Sequence, residues 1–285
     1  MKIDSHVHIT PPDIIKNWKK YAEKEAYFSM ITQSKVNKFA EAEDVITDME
    51  KEGFDRAVVF GFAFSDMGLC RYVNDYVIEK VNQFPDKLIG FAVVCAGGKE
   101  TQREIERCHN AGLKGVGELF PAGQGASLKS RIDLEDKEQL KTITEVCKER
   151  DIPLLLHVNE PIGHNYPGKT DVPLQKIEKF IFNNIGLKII LAHFGGGILF
   201  YETMKEIKEA FNNVYYDTAA CPFLYDNRIY GIIKALGICD KILFGSDYPI
   251  LPQSRYLNAL EESSLSDEER QLIMGKNAQR LLTLF

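Results

Sequence analysis

The sequence predicts an α/β fold, a (β/α)₈ TIM barrel with a helical insertion after its first strand, in a single domain spanning residues 1–285. Three observations predict it. Eight short apolar segments recur along the chain, at residues 2–8, 56–62, 88–95, 113–119, 152–158, 188–193, 214–219 and 241–246. Helical-period stretches separate most of them, and alternation of the two types over a whole chain means parallel strands covered by helices. Eight such units in 285 residues, somewhat above the roughly 250 typical of one such barrel, favour closure over an open doubly wound sheet, although the count alone does not settle it.

Taken in order, the first segment, Lys2-Ile-Asp-Ser-His-Val-His8, reads as a strand that already carries functional side chains, which leaves no room for a cleaved leader. Residues 9–40 follow as an insertion with a helix-like stretch and the aromatic residues Trp18, Tyr21, Tyr27 and Phe28. Packing of these rings onto the barrel is the plainer expectation, and a lid or a homodimer contact is the other. The fourth segment ends in Gly-Val-Gly-Glu118-Leu. Before the fifth, residues 138–150 place Leu140, Ile143, Val146 and Cys147 on one helical face; residues 203–212 do the same with Met204, Ile207 and Phe211. Beyond the eighth, Ser266-Asp-Glu-Glu269 reads as a capping box, and Gly275 marks a break near Met274. The connections 9–40, 120–135 and 159–173 exceed the usual length of about 2–6 residues, and all three follow C-terminal strand ends, where barrels of this kind carry their active sites.

Composition narrows the function. Hydrophobic residues make up 45% and charged residues 27%, the balance of an ordinary soluble protein. The net charge of −6 leaves no basic surface on average, which argues against nucleic-acid or anionic-membrane partners and for a small-molecule substrate. No apolar run approaches the roughly 20 residues of a membrane helix. Six scattered cysteines without a CxxC pair read as free thiols in a reducing, cytoplasmic setting.

The chemistry sits at strand ends. His6 and His8, two apart on a strand, leave from the same face and can reach one metal ion. His157, His193 and Asp247 are each the first metal-competent side chain after a buried strand, and a barrel brings strands one, five, six and eight around one opening. Imidazole and carboxylate donors suit Zn²⁺ first, with Fe²⁺, Mn²⁺ or Co²⁺ as substitutes, one ion or two. Such an ion lowers the pKa of a bound water towards about 7, and Asp247 would accept the proton, with His193 as its catalytic companion.

The HxH pair on strand one, single histidines ending strands five and six, and Gly-Ser-Asp-Tyr-Pro on strand eight resemble the amidohydrolase superfamily. The branch most similar is the amidohydrolase-2 group, which includes decarboxylases related to aminocarboxymuconate-semialdehyde decarboxylase. The resemblance runs from His6 to the tail Gly275-Lys-Asn-Ala-Gln-Arg-Leu-Leu282. It implies a barrel, a divalent metal, and attack by activated water or a metal-steered proton transfer. One position departs from the commonest superfamily pattern, in which a carboxylated lysine ends strand four; Glu118 stands there and could serve as the bridging ligand between two metals or as a supporting acid.

Asn159, His164 and Tyr166, after strand five, are candidate substrate contacts, and Glu160 in the same stretch could hydrogen-bond substrate or position His157. Tyr248 and Arg255 are weaker candidates. Asp217 and Cys221 could approach the site, although organising the loop after strand seven explains Asp217 equally well; His109 reads as structural. Residues 163–170 match the P-loop pattern GxxxxGK[ST], yet Pro173 places the next helix start too late for its N–H groups to cradle phosphate. The leading expectation is a metal-dependent hydrolase acting on a C–N or C–O bond of a small molecule. The alternative is a metal-dependent decarboxylase of a small unsaturated or aromatic acid, and a P-loop NTPase or a non-catalytic metal-binding barrel is more remote.

Overall fold

A computed structural model describes residues 1–125 and 131–284. Strands β1 (Ile3–His8), β2 (Arg56–Phe60), β3 (Leu88–Ala92), β4 (Gly115–Leu119), β5 (Leu154–Leu156), β6 (Ile189–Leu191), β7 (Val214–Asp217) and β8 (Ile242–Leu243) form one sheet in sequence order. Every neighbouring pair is parallel. The seam between last and first strands is drawn together by backbone hydrogen bonds from Ser5 N to Phe244 O (2.7 Å), Asp247 N to His6 O (3.0 Å) and His8 N to Tyr248 O (2.8 Å). The result is a nearly closed (β/α)₈ barrel. Its strands are buried on both faces, which is why β5 and β6 are unbroken Leu and Ile rather than alternating patterns.

All eight predicted strands are present, but several stop early at the C-terminal end. Beyond β6 and β8 the backbone turns into the left-handed region at His193 (φ 56°) and Asp247 (φ 60°). A side-chain-bearing residue pays strain there, and such residues concentrate at functional sites. The turns that carry chemistry therefore shorten the strands that the apolar runs suggested.

Helices α1 (Pro12–Ala22) and α2 (Ala26–Thr32) make up the insertion, followed by α3 (Ala42–Lys51), α4 (Met67–Gln83), α5 (Gly98–Asn110), α6 (Lys137–Glu149) and α7 (Leu174–Asn183). In α6 the predicted face of Leu140, Ile143, Val146 and Cys147 is buried, and the Asp136 side chain caps the helix by accepting from Gln139 N. The second predicted face differs in one residue: the helix Lys205–Ala210 starts after Met204, so Met204 points off the apolar face and is 51% exposed.

The insertion packs onto the barrel. Tyr27 and Phe28 are buried; Tyr27 stacks with Phe62 and lies against Phe120, and its hydroxyl donates to Gly168 O at 2.7 Å. Residues 126–130 of the long connection after β4 lie outside the described residues. At the far end, the Ser266–Glu269 capping box forms as predicted, and Gly275 interrupts the helical geometry. A Cβ on Gly275 would come within 2.3 Å of Met1 O, so the chain's end closes against its start only because that position has no side chain. All six cysteines are free, and among the described residues no helix is long and apolar enough to cross a membrane.

Candidate metal centre

β1 aims both of its histidines into the barrel mouth, with Nε2 atoms 3.3 Å apart. From the opposite side of the seam, Asp247 Oδ1 stands 3.6 Å from His6 Nε2 and 3.4 Å from His8 Nε2. These three residues form one group whose ligand atoms lie within 4.8 Å of one another. A second group of the same tightness joins Glu118, His157 and His193. Glu118 is shared in effect: Oε1 lies 2.9 Å from His157 Nδ1 and 3.8 Å from His193 Nε2, while Oε2 lies 3.6 Å from His6 Nε2 and 3.5 Å from His8 Nε2. The ends of β1, β4, β5, β6 and β8 thus bring all six predicted ligands together.

Asp217, weighed from the sequence either as a group near the site or as an organiser of the loop after β7, proves to organise this arrangement. Its Oδ2 lies 2.8 Å from His6 Nδ1, and its Oδ1 accepts from the backbone N–H of His193 (2.9 Å) and of Ala219 (3.0 Å). The His193 ring is held independently, Nδ1 donating to Ala219 O at 2.8 Å, which turns Nε2 towards the centre. Fixing one ring nitrogen by a carbonyl or carboxylate leaves the other as the basic, metal-competent atom. Asp217 obeys the rule that found His157 and Asp247, a polar side chain at the end of a buried strand, but that rule does not reveal its partner, His6.

Electrostatics hold three carboxylates beside the imidazoles. Burial opposes charge on His6, Glu118 and Asp247, but their neighbours outweigh it. Asp217 and Glu118 raise the pKa of His6 well above its ordinary value. His6 and His157 hold Glu118 well below the carboxylate range. The pKa of Asp247 falls to about 2, through His8, His6 and His193. Carboxylates that draw a proton onto His6 would draw a divalent cation as readily, and the cation competes with that proton for the ring. His157 Nε2 is buried without a hydrogen-bond partner, an orphaned donor atom that a metal would satisfy. The nitrogen and oxygen donors therefore fit a divalent ion.

The remaining predicted contacts separate. Asn159 is buried with Oδ1 accepting from Thr170 N and Oγ1, which leaves Nδ2 without a partner. Tyr166 is half-buried, and burial together with the Glu160 and Asp247 carboxylates raises its pKa. His164 is exposed, with its ring 5.7 Å from that of Tyr166. Tyr248 OH donates to Asp48 at 2.7 Å, tying the loop after β8 to α3, and Arg255 is exposed on the helix Ser254–Glu261. Cys221 is buried, and His109 lies in the last turn of α5 in the helical layer. In the P-loop-like stretch, Lys169 Nζ donates to Ile162 O and α7 begins only at Leu174, so helix N–H groups and loop do not meet as a phosphate cradle requires.

An amidohydrolase family model matches residues 3–284 of this sequence. The chain belongs to the amidohydrolase family. Over 254 residues this amidohydrolase is 27% identical to a gamma-resorcylate decarboxylase of Polaromonas sp. strain JS666, covering 75% of this chain and 76% of that one. It is 24% identical to a 2-amino-3-carboxymuconate-6-semialdehyde decarboxylase of Dictyostelium discoideum, covering 100% and 92%. Its fold matches the crystal structure of a dihydroxybenzoic acid decarboxylase from Polaromonas sp. JS666, which holds manganese and the inhibitor 2-nitroresorcinol. The TM-score is 0.73 at 20% identity, over 99% of this chain and 97% of that one. The leading expectation of a hydrolase is corrected by these relatives: the two similar sequences named above are decarboxylases, so the alternative is the better supported. The ligand set is common to both chemistries, which is why the residues could not separate them.

Proposed function

We propose that this amidohydrolase is a metal-dependent decarboxylase of a small aromatic or unsaturated acid. The observation that carries this reading is the convergence of His6, His8, Glu118, His157, His193 and Asp247 at one barrel mouth, in a chain whose relatives along most of its length are decarboxylases. His6, His8, His157 and Asp247 would hold the ion, with Glu118 and His193 completing or bridging its surroundings. The donor set suits Zn²⁺ and Mn²⁺ alike.

When bound, the ion supplies Lewis-acid polarisation of the substrate's oxygen atoms. The chain's own residues manage protons and position. Decarboxylation breaks the bond from carbon to the carboxylate, leaves the electron pair on that carbon, and puts a proton in its place. Asp247, held as a carboxylate, and His193, with Nε2 turned inward, would move that proton. Asp217 keeps His6 and the His193 backbone in register, and Asn159 and Tyr166 border the substrate's position from the loop after β5.

The test is carbon dioxide release from a panel of hydroxybenzoic and enoic acids, using protein loaded with Zn²⁺ or Mn²⁺ and the same protein after chelation. Release from at least one acid, lost on chelation and restored by metal, is expected. No release from any acid with fully loaded protein would overturn the reading.

A further inference from the structure

Beside the metal centre lies a second set of buried polar groups without partners. Glu160 Oε1, Tyr225 OH, Asn159 Nδ2 and, three residues before Glu160, His157 Nε2 are each buried and make no hydrogen bond of ordinary geometry, although the Glu160 carboxylate and the Tyr225 phenol approach each other. Unpartnered buried polar atoms are uncommon and costly, and several on one side of one barrel mouth point to something that satisfies them. The glycine run after β6 brings them together. A Cβ on Gly196 (φ 60°) would fall 2.5 Å from Asn159 O, so only glycine lets the two loops press this closely. A Cβ on the next residue, Gly197, would lie 3.7 Å from Tyr225 OH, and the Tyr225 ring packs edge-on to Phe194 at 5.7 Å. The pKa of Tyr225 is raised by burial and by Glu160, and that of Tyr166 by burial, Glu160 and Asp247, which links the set to the metal centre.

We propose that Glu160, Tyr225 and Asn159 form a polar subsite that binds a hydroxyl or amino substituent of the substrate and disfavours a second carboxylate. A carboxylate that only accepts, an amide that donates, and a phenol that does both complement a hydroxyl, which donates once and accepts twice. A second substrate carboxylate would accept only, and would face Glu160 at close range in a buried setting. The inference rests on the decarboxylase reading for the nature of the substrate but reads out through binding.

The experiment is calorimetric binding to Mn²⁺-loaded protein of benzoate, its 2- and 3-hydroxy and amino derivatives, and benzene-1,2- and 1,3-dicarboxylate. At least one hydroxy- or amino-substituted acid should bind about tenfold or more tightly than benzoate, with both dicarboxylates weaker. Glu160→Gln should erase most of that preference while metal content per chain stays constant, and Tyr225→Phe should erase a smaller part. A preference intact in Glu160→Gln, a dicarboxylate as the tightest ligand of the unaltered protein, or no binding by any of the acids would each overturn the subsite. Carbon dioxide release is measured in parallel. The predicted binding pattern without any release sinks the decarboxylase reading alone, and release with a selectivity indifferent to Glu160 sinks the subsite alone.

Discussion

Glu104 and Glu118 are both about 1% exposed, yet they sit in opposite kinds of surroundings. Glu104, on α5 in the helical layer, is saturated. Its Oε1 accepts from Asn74, Arg107 and Cys108, its Oε2 accepts from Arg107, and Asn74 in turn bonds the backbone of Val93. Glu118, at the end of β4, is divided among four imidazoles, with unpartnered polar atoms nearby. A closed network of buried polar groups fixes packing, whereas an open one keeps bonding capacity for something that arrives from outside. The pair shows that burial of a carboxylate does not by itself mark function; what matters is whether its partners are spent.

That contrast breaks most visibly at Asp247. Asp247→Asn keeps the shape and removes the charge and the proton-accepting oxygen, so turnover should fall by about 10³-fold or more while thermal stability changes little. Unchanged carbon dioxide release in steady-state assays would remove Asp247 from the chemistry. Next in size is Asp217→Asn, which weakens the orientation of His6 and of the His193 backbone without touching substrate. Loss of such an outer partner costs about 10–100-fold in metal affinity or activity, to be read by competition with a chelating dye. Unaltered affinity and turnover would reduce Asp217 to a loop organiser.

Much of this molecule is legible in its sequence because the signals are local. The eight apolar runs, the α6 face and the Ser266 capping box need only neighbours in the chain, and each strand end announces its own polar residue. What escaped is long-range. Asp217 meets His6 across 211 residues, a pairing that exists only because β7 and β8 close onto β1. Glu104 lies on a helix rich in charge, where periodicity suggests a solvated side chain, and only Asn74 on α4 reveals that it is buried. Glu160 and Tyr225 come from different loops, the first meeting the glycine run at Gly196 through Asn159 and the second at Gly197. The reaction itself escaped for another reason: hydrolysis and decarboxylation draw on the same ligands, and relatives rather than residues separate them.

Glu104→Gln tests the closed half of the comparison. One charge-assisted pair with Arg107 is lost from a buried network, so stability should drop by about 1–3 kcal/mol in urea unfolding, with activity per folded molecule unchanged. Arg107 and Asn74 outweigh burial and lower the pKa of Glu104 in the folded state. Its stabilisation is therefore complete above the ordinary carboxylate range and is lost as the pH falls through the depressed folded value. The difference in stability between the variant and the unaltered protein should shrink on acidification. A difference independent of pH would mean that Glu104 acts through shape alone.

The smallest effect is expected where the two regions meet. Tyr27 belongs to the insertion, packs on Phe62 and Phe120, and gives its hydroxyl to Gly168 O in the loop that also carries Asn159 and Tyr166. Tyr27→Phe keeps the ring and removes one buried hydrogen bond, worth about 1 kcal/mol, and leaves Gly168 O to find another partner. If the bond chiefly places the loop against the metal centre, KM for the acid should rise severalfold with kcat nearly constant, because the ligands of the ion are untouched. A destabilisation of the expected size with unchanged KM would instead assign Tyr27 to the closed, structural half, making the insertion a clamp on the barrel rather than a wall of its site.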